Sequence, residues 1–311
     1  MKPCAKPSTY IGRFAPSPSG PLHFGSLVTA LASYLDAKHY GGQWLVRMED
    51  IDPPREEAGA DHIILASLLA HGLAWDGSVM YQSTRLAAYA EILSTLGTNT
   101  YPCQCTRQRL LNLKGVYDNH CSRHLITDNN NRGSTRVKID ALDHEQLFAA
   151  EHYADLFQGE QIQSLAQDTG DFILRRKDGL FAYQLAVVID DIEQGVNHII
   201  RGSDLLSSSP RQRYLTLLLQ QELGIKSTLP IYGHLPIATN QMKQKLSKQT
   251  KAKAIDNRHA FVNLSRALAF LQQIVPAEII ADQDISTLMN WAIQHWQRKN
   301  IPQTLAIVVE V

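Results

Sequence analysis

RFAPSPSGPLHFGSL, residues 13–27, connects a short apolar run to a long stretch with the apolar spacing of a helix. With three prolines and two glycines, this segment, called the elbow below, is too rich in breakers to be a strand or a helix itself. The pattern predicts a sharp turn from a strand over 9–15 into a helix over 26–42. Such a turn directs the free N–H groups and the positive dipole end of the helix toward a bound anion. The elbow therefore predicts a nucleotide phosphate site, with His23 as a donor at the mouth of the helix.

Strand and helix patterns alternate on both sides of the elbow. A strand pattern at 43–52 precedes helix patterns at 56–72 and 85–97, and the alternation resumes with a strand at 196–202 and a helix at 209–224. Alternation of this kind is typical of parallel βαβ units with right-handed crossovers. We therefore expect an α/β fold built on a Rossmann-like parallel sheet.

The alternation stops between residues 100 and 180, which we interpret as an insertion into the α/β domain. Two segments in or beside it, 134–140 and 171–191, are rich in β-forming residues, and Asp178-Gly179 is a good hairpin turn. The insertion is therefore expected to be an α+β subdomain.

After residue 240 a basic loop leads into two helical patterns, near 257–273 and 285–299. We find no internal repeat. The predicted division of the chain is a first half of the catalytic domain (1–99), the inserted subdomain (100–180), the second half of the catalytic domain (181–240) and a basic loop with C-terminal helices (241–311).

Charge and the distribution of apolar residues give no sign of a membrane or secreted protein. The 311 residues carry a formal net charge of zero, so the total charge indicates neither a nucleic-acid nor a membrane partner, although local patches remain possible. No apolar run approaches the ~18 residues of a membrane span, and the first residues lack the apolar core of a secretory signal. We expect a cytoplasmic monomer without a membrane partner.

The cysteines indicate a metal site rather than disulfides. Four cysteines in a chain of this length are no disulfide framework, and Cys4 stands apart from the others. Cys103, Cys105 and Cys121 lie within nineteen residues, and three thiolates suit Zn²⁺ in a closed tetrahedral site. Spacing alone offers His120 or His124 as the fourth ligand.

Three short motifs together resemble the glutamate branch of the class I aminoacyl-tRNA synthetases. HFGS (23–26), within the elbow, is similar to the "HIGH" signature of that family, and VRMEDID (46–52) is similar to its glutamate branch. KLSKQ (245–249) resembles its second signature, "KMSKS". The order and separation of the three are hard to obtain by chance. The resemblance covers roughly residues 10–250 and implies the class I synthetase fold, with a zinc-bearing acceptor-type subdomain as the insertion.

The chain length narrows the function that the resemblance implies. Only about sixty residues follow the KLSKQ motif, too few for the anticodon-binding region of a glutamyl-tRNA synthetase. This implies the shortened branch of the family, which activates glutamate with ATP without tRNA and then esterifies it to the queuosine at the wobble position of tRNA(Asp). The alternatives are charging of tRNA(Glu) at its 3′ end, a small-molecule nucleotidyltransferase, and a non-catalytic RNA-binding module.

The resemblance also implies a role for individual residues. The catalytic candidates are His23, Ser26, Lys245 and Lys248. The candidates for binding ATP, with its Mg²⁺, are Pro16, His23, Gly25, Ser26 and Lys248. The candidates for binding glutamate are Arg13, Ser17, Glu49, Tyr183 and Arg201, with the arginines on the carboxylate and Glu49 on the ammonium group. Two positions depart from the signatures: Ser26 replaces the second histidine of "HIGH", and Gln249 replaces the final serine of "KMSKS".

The resemblance assigns the fourth ligand of the zinc site but does not identify which residues would contact RNA. It points to Tyr117, rather than a histidine, as the fourth ligand beside Cys103, Cys105 and Cys121. An RNA partner needs a basic surface. The candidate segments are 106–114, 175–177, 211–213 and 243–253.

Overall fold

The computed structural model describes residues 9–113, 115–124, 133–225, 228–246 and 253–309. The helices among these residues are α1 (Phe24–His39), α2 (Ala60–Ala70), α3 (Leu86–Thr95), α4 (Arg107–Asn112), α5 (His120–Arg123), α6 (His144–Glu151), α7 (Leu165–Asp168), α8 (Tyr183–Glu193), α9 (Ser209–Leu223), α10 (Ala260–Phe270), α11 (Ala277–Asp282) and α12 (Ile285–His295). The strands are β1 (Ile11–Phe14), β2 (Gln43–Met48), β3 (Met80–Tyr81), β4 (Thr100–Cys103), β5 (Ser134–Val137), β6 (His152–Asp155), β7 (Gly159–Ile162), β8 (Phe172–Arg175), β9 (His198–Gly202), β10 (Ile231–Leu235), β11 (Ile237–Thr239) and β12 (Ala306–Val308). No helix of the described residues has the length and apolar character needed to cross a bilayer.

A five-stranded sheet in the order β10-β9-β1-β2-β3 forms the centre of the molecule, and every pairing in it is parallel. Helices connect β1 to β2, β2 to β3 and β9 to β10. The predicted α/β fold with a parallel sheet is thus confirmed. The carboxyl ends of β1, β2 and β9 lie side by side, which is where open α/β sheets bind ligands.

Helix α1 packs against the sheet and carries the main core. It buries an almost continuous run of side chains from Leu27 to Ala37 against β1, β2 and the C-terminal helices. Asp36 on this helix is fully buried and accepts hydrogen bonds from Trp296 Nε1 (2.9 Å) and Arg298 Nε (2.7 Å). These bonds hold the C-terminal segment against the sheet domain.

The segment between β3 and β9 contains antiparallel structure. Strands β4, β5 and β8 form one antiparallel sheet, and β6 and β7 form a hairpin. The hairpin docks on the edge of the parallel sheet, where Leu156 N donates to Tyr232 O of β10 at 2.9 Å. The predicted turn at Asp178-Gly179 is present: Gly179 has φ of +90°, and Arg176 N donates to Leu180 O at 2.8 Å.

The prediction of β-structure throughout residues 171–191 is wrong in its second half. Strand β8 ends at Arg175, and residues from Tyr183 onward form helix α8. The β-branched run Val187-Val188-Ile189 favours a strand locally, but burial against α9 and β8 stabilises the helix instead. Strand β10 and the short helix α11 were not predicted from the sequence.

Candidate active site

Four of the five residues expected to bind glutamate gather at the carboxyl edge of the sheet. Arg13 lies on β1, Glu49 follows β2, Arg201 lies on β9 and Tyr183 begins α8. Burial raises the pKa of the Tyr183 hydroxyl. The charges of Arg201 and Arg13 oppose this rise, and the charge of Glu49 adds to it, so the hydroxyl senses all three groups. Ser17 is exposed on the elbow. The residues converge because parallel strands end at a common edge.

Glu49 presents a buried carboxylate oxygen that has no hydrogen-bond partner among the described residues. Its nearest cation is Arg47, with Nη2 3.9 Å from Oε1, and only 11% of the Glu49 side chain is exposed. Burial raises the pKa of Glu49 to about 7, against the opposing attraction of Arg47 and Arg13. A buried acceptor of this kind suits a cationic ligand group, such as an ammonium.

Arg13 is fixed by an ion pair with Asp191 and retains a hydrogen-bond donor for a ligand. Its Nε donates to Asp191 Oδ1 at 3.1 Å, and its Nη2 donates to Asp191 Oδ2 at 3.4 Å. Nη1 of Arg13 has no hydrogen-bond partner among the described residues. Asp191 also accepts from Nη1 of the fully buried Arg47 at 2.8 Å. The guanidinium of Arg13 is therefore fixed in orientation while part of it remains available for a carboxylate.

Arg201 has a fuller set of protein partners. Its Nη1 donates to Gln212 Oε1 at 2.7 Å and, more weakly, to Tyr183 OH at 3.4 Å. Its Nη2 donates to Ser209 Oγ at 2.8 Å and to Leu205 O at 3.3 Å. The long contact with Tyr183 is the one that a ligand carboxylate would most readily replace.

The elbow leads directly into α1, whose N-cap is His23. The His23 ring accepts from Ser26 N through Nδ1 (3.2 Å), and Ser26 Oγ accepts from His23 N (2.8 Å), which makes a capping box. Because Nδ1 is an acceptor, the neutral ring carries its proton on Nε2, as a phosphate donor requires. The Ser26 hydroxyl also donates to His23 O, so the cap, rather than a substrate, occupies it. The expected role of Ser26 as a phosphate donor remains a prediction.

The KLSKQ motif lies in a loop, called the lysine loop below, whose described residues end at Leu246 and resume at Lys253. Both described ends of this loop meet the elbow. On one side a β-carbon built on Gly25 would lie 3.6 Å from the carbonyl oxygen of Leu246. On the other, His23 forms a bridge with Ala254, and Ile255 N donates to the carbonyl oxygen of Leu22 at 2.9 Å. The histidine motif and Leu246, the last described residue of the lysine motif, are thus neighbours in the fold although more than 200 residues separate them in sequence.

Of the two signature lysines, one can be placed. Lys245 Nζ donates to Asp204 Oδ2 at 2.6 Å, just beyond β9. Lys248 and Gln249 lie outside the described residues, as does Cys4. The roles expected of that lysine and glutamine remain predictions. Pro16 links the elbow to Glu49, because its carbonyl oxygen accepts from Glu49 N at 2.9 Å.

The three cysteines of the insertion form a cluster with Tyr117. The sulfur atoms of Cys103, Cys105 and Cys121 all lie within 4.8 Å of one another. The Tyr117 hydroxyl lies 3.5 Å from the Cys103 sulfur and 3.6 Å from the Cys105 sulfur. Ligands of a tetrahedral zinc with Zn–S bonds of ~2.3 Å are about 3.8 Å apart, so this set fits such an ion.

The histidines that spacing offered as zinc ligands are not part of this cluster. The metal-ligating cluster found among the described residues contains the three cysteines alone. His124 Nδ1 bonds instead to the carbonyl oxygen of His120 at 2.8 Å, and both side chains are exposed.

The arginines of the basic segments differ in their exposure to solvent. Arg213 is buried, with its guanidinium over the Tyr153 ring at 4.8 Å and Nη2 donating to the carbonyl oxygen of Ala149 at 2.7 Å. Its expected contribution to an RNA-binding surface is wrong, because a helix that packs on α6 and α8 must turn this side chain inward. Arg176, by contrast, is exposed and pairs with Asp178.

The residues that support the pocket were not predicted from the sequence. They are the buried Arg47, Asp190 and Asp191 beneath Arg13, and Asp155 and His234 beside Arg201. Adjacent aspartates at the end of an apolar run, as in VVIDD (187–191), were the one available signal. Two carboxylates on a buried segment need cationic partners.

The comparisons with known proteins agree on a single family. Residues 11–273 match the family described as tRNA synthetases class I (E and Q), catalytic domain. A protein of Serratia proteamaculans named glutamyl-Q tRNA(Asp) synthetase is 47% identical over 303 residues, which cover 97% of this chain and 95% of that protein. One of the same name from Colwellia psychrerythraea is 44% identical, with the same coverage of each chain.

Among solved structures, the chain is similar to glutamate-tRNA synthetase from Elizabethkingia anophelis. The TM-score is 0.75 at 23% identity, with 97% of this chain and 68% of that chain covered. A glutamate tRNA ligase from Elizabethkingia meningosepticum, solved with its amino acid, gives a TM-score of 0.72 at 24% identity, covering 96% and 67% of the two chains. At these identities the similarity establishes the fold alone.

Proposed function

Because the chain belongs to the class I tRNA synthetase family for glutamate and glutamine, and is a synthetase-like ligase, we propose that it transfers glutamate to the queuosine of tRNA(Asp). In the first step a glutamate carboxylate attacks the α-phosphorus of ATP, giving glutamyl-adenylate and releasing pyrophosphate. In the second step a hydroxyl of the queuosine cyclopentene ring attacks the acyl carbon and releases AMP.

One observation carries this proposal: the elbow lies between the glutamate pocket and the described ends of the lysine loop. Pro16 bonds to Glu49 on one side, and Leu22 and His23 meet Ala254 and Ile255 on the other. An amino acid held by Glu49 would therefore lie beside a triphosphate held at the start of α1. This juxtaposition supplies the positioning on which adenylate formation depends.

Each pocket residue then has a chemical task. The Glu49 carboxylate, whose buried Oε1 lacks a hydrogen bond, binds the ammonium group, and the free donor of Arg13, with Arg201 and Tyr183, binds the side-chain carboxylate. His23 Nε2 donates to the phosphate oxygens, where charge accumulates during the attack. Lys248 is proposed to hold the leaving pyrophosphate, and Mg²⁺ enters with ATP to neutralise its phosphates.

The choice of queuosine rests on the relatives. Proteins named glutamyl-Q tRNA(Asp) synthetase align with almost the whole chain at 42–47% identity. Charging of tRNA(Glu) is the alternative outcome of the test. The experiment measures transfer of radiolabelled glutamate to tRNA(Asp) with queuosine, to tRNA(Asp) without it, and to tRNA(Glu). Transfer only to the first supports the proposal, whereas transfer to tRNA(Glu) or to queuosine-free tRNA(Asp) contradicts it.

Replacing His23 separates its two roles. Asparagine is also a good N-cap, so His23→Asn should unfold at nearly the same temperature as the unaltered protein. It lacks the Nε2 donor, and we expect glutamate-dependent ATP–pyrophosphate exchange to fall by about 100-fold. His23→Ala, the comparison variant, should lose about 1 kcal/mol of stability as well. Full exchange activity in His23→Asn would show that the imidazole does not act on the phosphates.

We also propose that Cys103, Cys105, Tyr117 and Cys121 hold a structural zinc ion. We expect zinc-reconstituted protein to contain one ion per chain by atomic absorption, and chelation to lower its melting temperature. Cys105→Ser should lose the ion, while the control variant His124→Gln should keep it. Loss of zinc in His124→Gln, or a zinc content near zero in the unaltered protein, would contradict this ligand set.

A further inference from the structure

Beyond the residues assigned above, we propose that Asp155 and His234 are positioning residues that orient Arg201 for the substrate's side-chain carboxylate. The inference rests on the proposed function, because it concerns the glutamate pocket. It assigns a role in amino-acid binding to the hairpin of the insertion, which lies outside the parallel sheet.

Asp155 fixes the His234 ring from two directions. Its Oδ2 lies 2.5 Å from Nδ1 of the ring, and its Oδ1 accepts from the backbone N of the same histidine at 3.0 Å. The aspartate is buried and the histidine is fully buried. Asp155 Oδ1 also accepts from the backbone N of Phe157 and of Gln158, at 3.0 Å each. The carboxylate is thus anchored within its own turn while it holds the ring.

This contact determines the tautomer of His234. A carboxylate accepts hydrogen bonds, so the Nδ1 atom facing Asp155 carries the proton. The lone pair of the ring is then on Nε2, which accepts from Arg201 Nε at 3.1 Å. The opposite tautomer would place an N–H against an N–H. The aspartate therefore acts on the arginine through the histidine.

The Nε bond contributes to fixing the plane of the guanidinium, together with the bonds of its two Nη atoms. With Nε held by His234, Nη2 meets Ser209 Oγ at 2.8 Å, and Nη1 is directed toward Gln212 and the Tyr183 hydroxyl. The charges of Arg201 and of Glu49 both act on the Tyr183 hydroxyl. Loss of the Nε acceptor would let the guanidinium rotate away from the position that a carboxylate requires.

Ser209, His234 and Asp155 have the composition of a hydrolase triad, but the geometry argues against that reading. Ser209 Oγ lies 3.1 Å from His234 Nε2, yet both side chains have no exposed surface. The serine oxygen also accepts from Arg201 Nη2. A nucleophile enclosed in this way cannot reach a substrate, so the three side chains act on the arginine.

The hairpin and the pocket are coupled as a result. Asp155 ends β6, and the next residue, Leu156, bonds to Tyr232 on β10, two residues before His234. Docking of the hairpin on the sheet edge therefore brings the carboxylate to the histidine. A change in this docking would alter amino-acid binding rather than phosphate binding.

The test is exchange of pyrophosphate into ATP, with the KM for glutamate and the KM for ATP measured separately. In Asp155→Asn the new amide can donate to Nδ1 and favour the wrong tautomer, so we expect the KM for glutamate to rise at least tenfold. The KM for ATP should change less than twofold. His234→Leu should act similarly, and His234→Gln, which can offer an oxygen to Arg201 Nε, should recover part of the loss. His198→Gln, another sheet histidine, is the control and should change neither constant.

A second measurement does not depend on activity. Long-range ¹H–¹⁵N correlation spectra of ¹⁵N-histidine-labelled protein, with His234 assigned from the His234→Gln variant, should show the proton on Nδ1. A proton on Nε2 overturns the proposal, as does an unchanged KM for glutamate, or an equal rise for ATP, in folded Asp155→Asn and His234→Leu. If the unaltered protein shows no glutamate-dependent exchange, the proposed function fails, and the tautomer still decides whether Asp155 orients the ring.

Discussion

Glu49→Gln is expected to abolish most glutamate activation and, at the same time, to stabilise the fold above pH 7. The glutamine keeps the shape of the side chain but removes the charge that we propose pairs with the substrate ammonium. Losing one partner of such a buried charge pair costs ~2–5 kcal/mol, so kcat/KM for glutamate should fall by about 100-fold or more. Steady-state pyrophosphate exchange measures this loss, and Glu57→Gln, an exposed neighbour, is the control.

The stability gain follows from the raised pKa of Glu49. Its pKa is about 7 in the folded protein, above the ordinary value, so the folded state binds more protons than the unfolded state between about pH 4 and 7. Stability from this group therefore falls as the pH rises through that window. Because glutamine stays neutral, Glu49→Gln should be more stable by up to about 3 kcal/mol at pH 8, and the difference should vanish near pH 4.

The same ionisation predicts a pH dependence of substrate binding. Only the ionised carboxylate pairs with an ammonium, so the KM for glutamate in the unaltered protein should rise as the pH falls below about 7. Urea unfolding and pH–rate profiles check the two effects independently. A Glu49→Gln protein that is less stable at pH 8, or a KM for glutamate that is flat from pH 6 to 8, would contradict the buried, unpaired carboxylate.

Asp191→Asn is expected to have the largest effect on folding. This carboxylate accepts from Arg13 and from Arg47, and both arginines are buried. Breaking a buried ion pair by removing one partner leaves an uncompensated charge and costs ~3–5 kcal/mol. We expect the free energy of unfolding, measured in urea, to fall by that amount.

A matched control lies two residues further along α8. Glu193 pairs with Arg85 at the surface, with about half of its side chain exposed. Exposed ion pairs contribute ~0–1 kcal/mol, so Glu193→Gln should change stability by less than about 1 kcal/mol. Equal losses in the two variants would mean that burial does not distinguish the two carboxylates.

Much of the fold and part of the site could be predicted from local sequence. The breaker-rich elbow between two apolar periods predicted the strand-to-helix turn, and α1 begins within it at Phe24. The polar signature at 23–26 predicted the helix-mouth histidine, because an N-cap depends only on residues three positions apart. Residues 183–193 could not be predicted in the same way, since their local preference for strand was overridden by packing.

The sequence alone determined the alternation of strands and helices around the elbow, the elbow itself, the cysteine cluster and the family resemblance, because each depends on residues close together in the chain or on motifs of fixed type. Only the tertiary structure decided which charges meet. Asp191 lies 178 residues from Arg13, and His234 lies 79 from Asp155. A buried charge is stable only beside its partner, and that partner is chosen by how distant strands and helices pack, which no local pattern encodes.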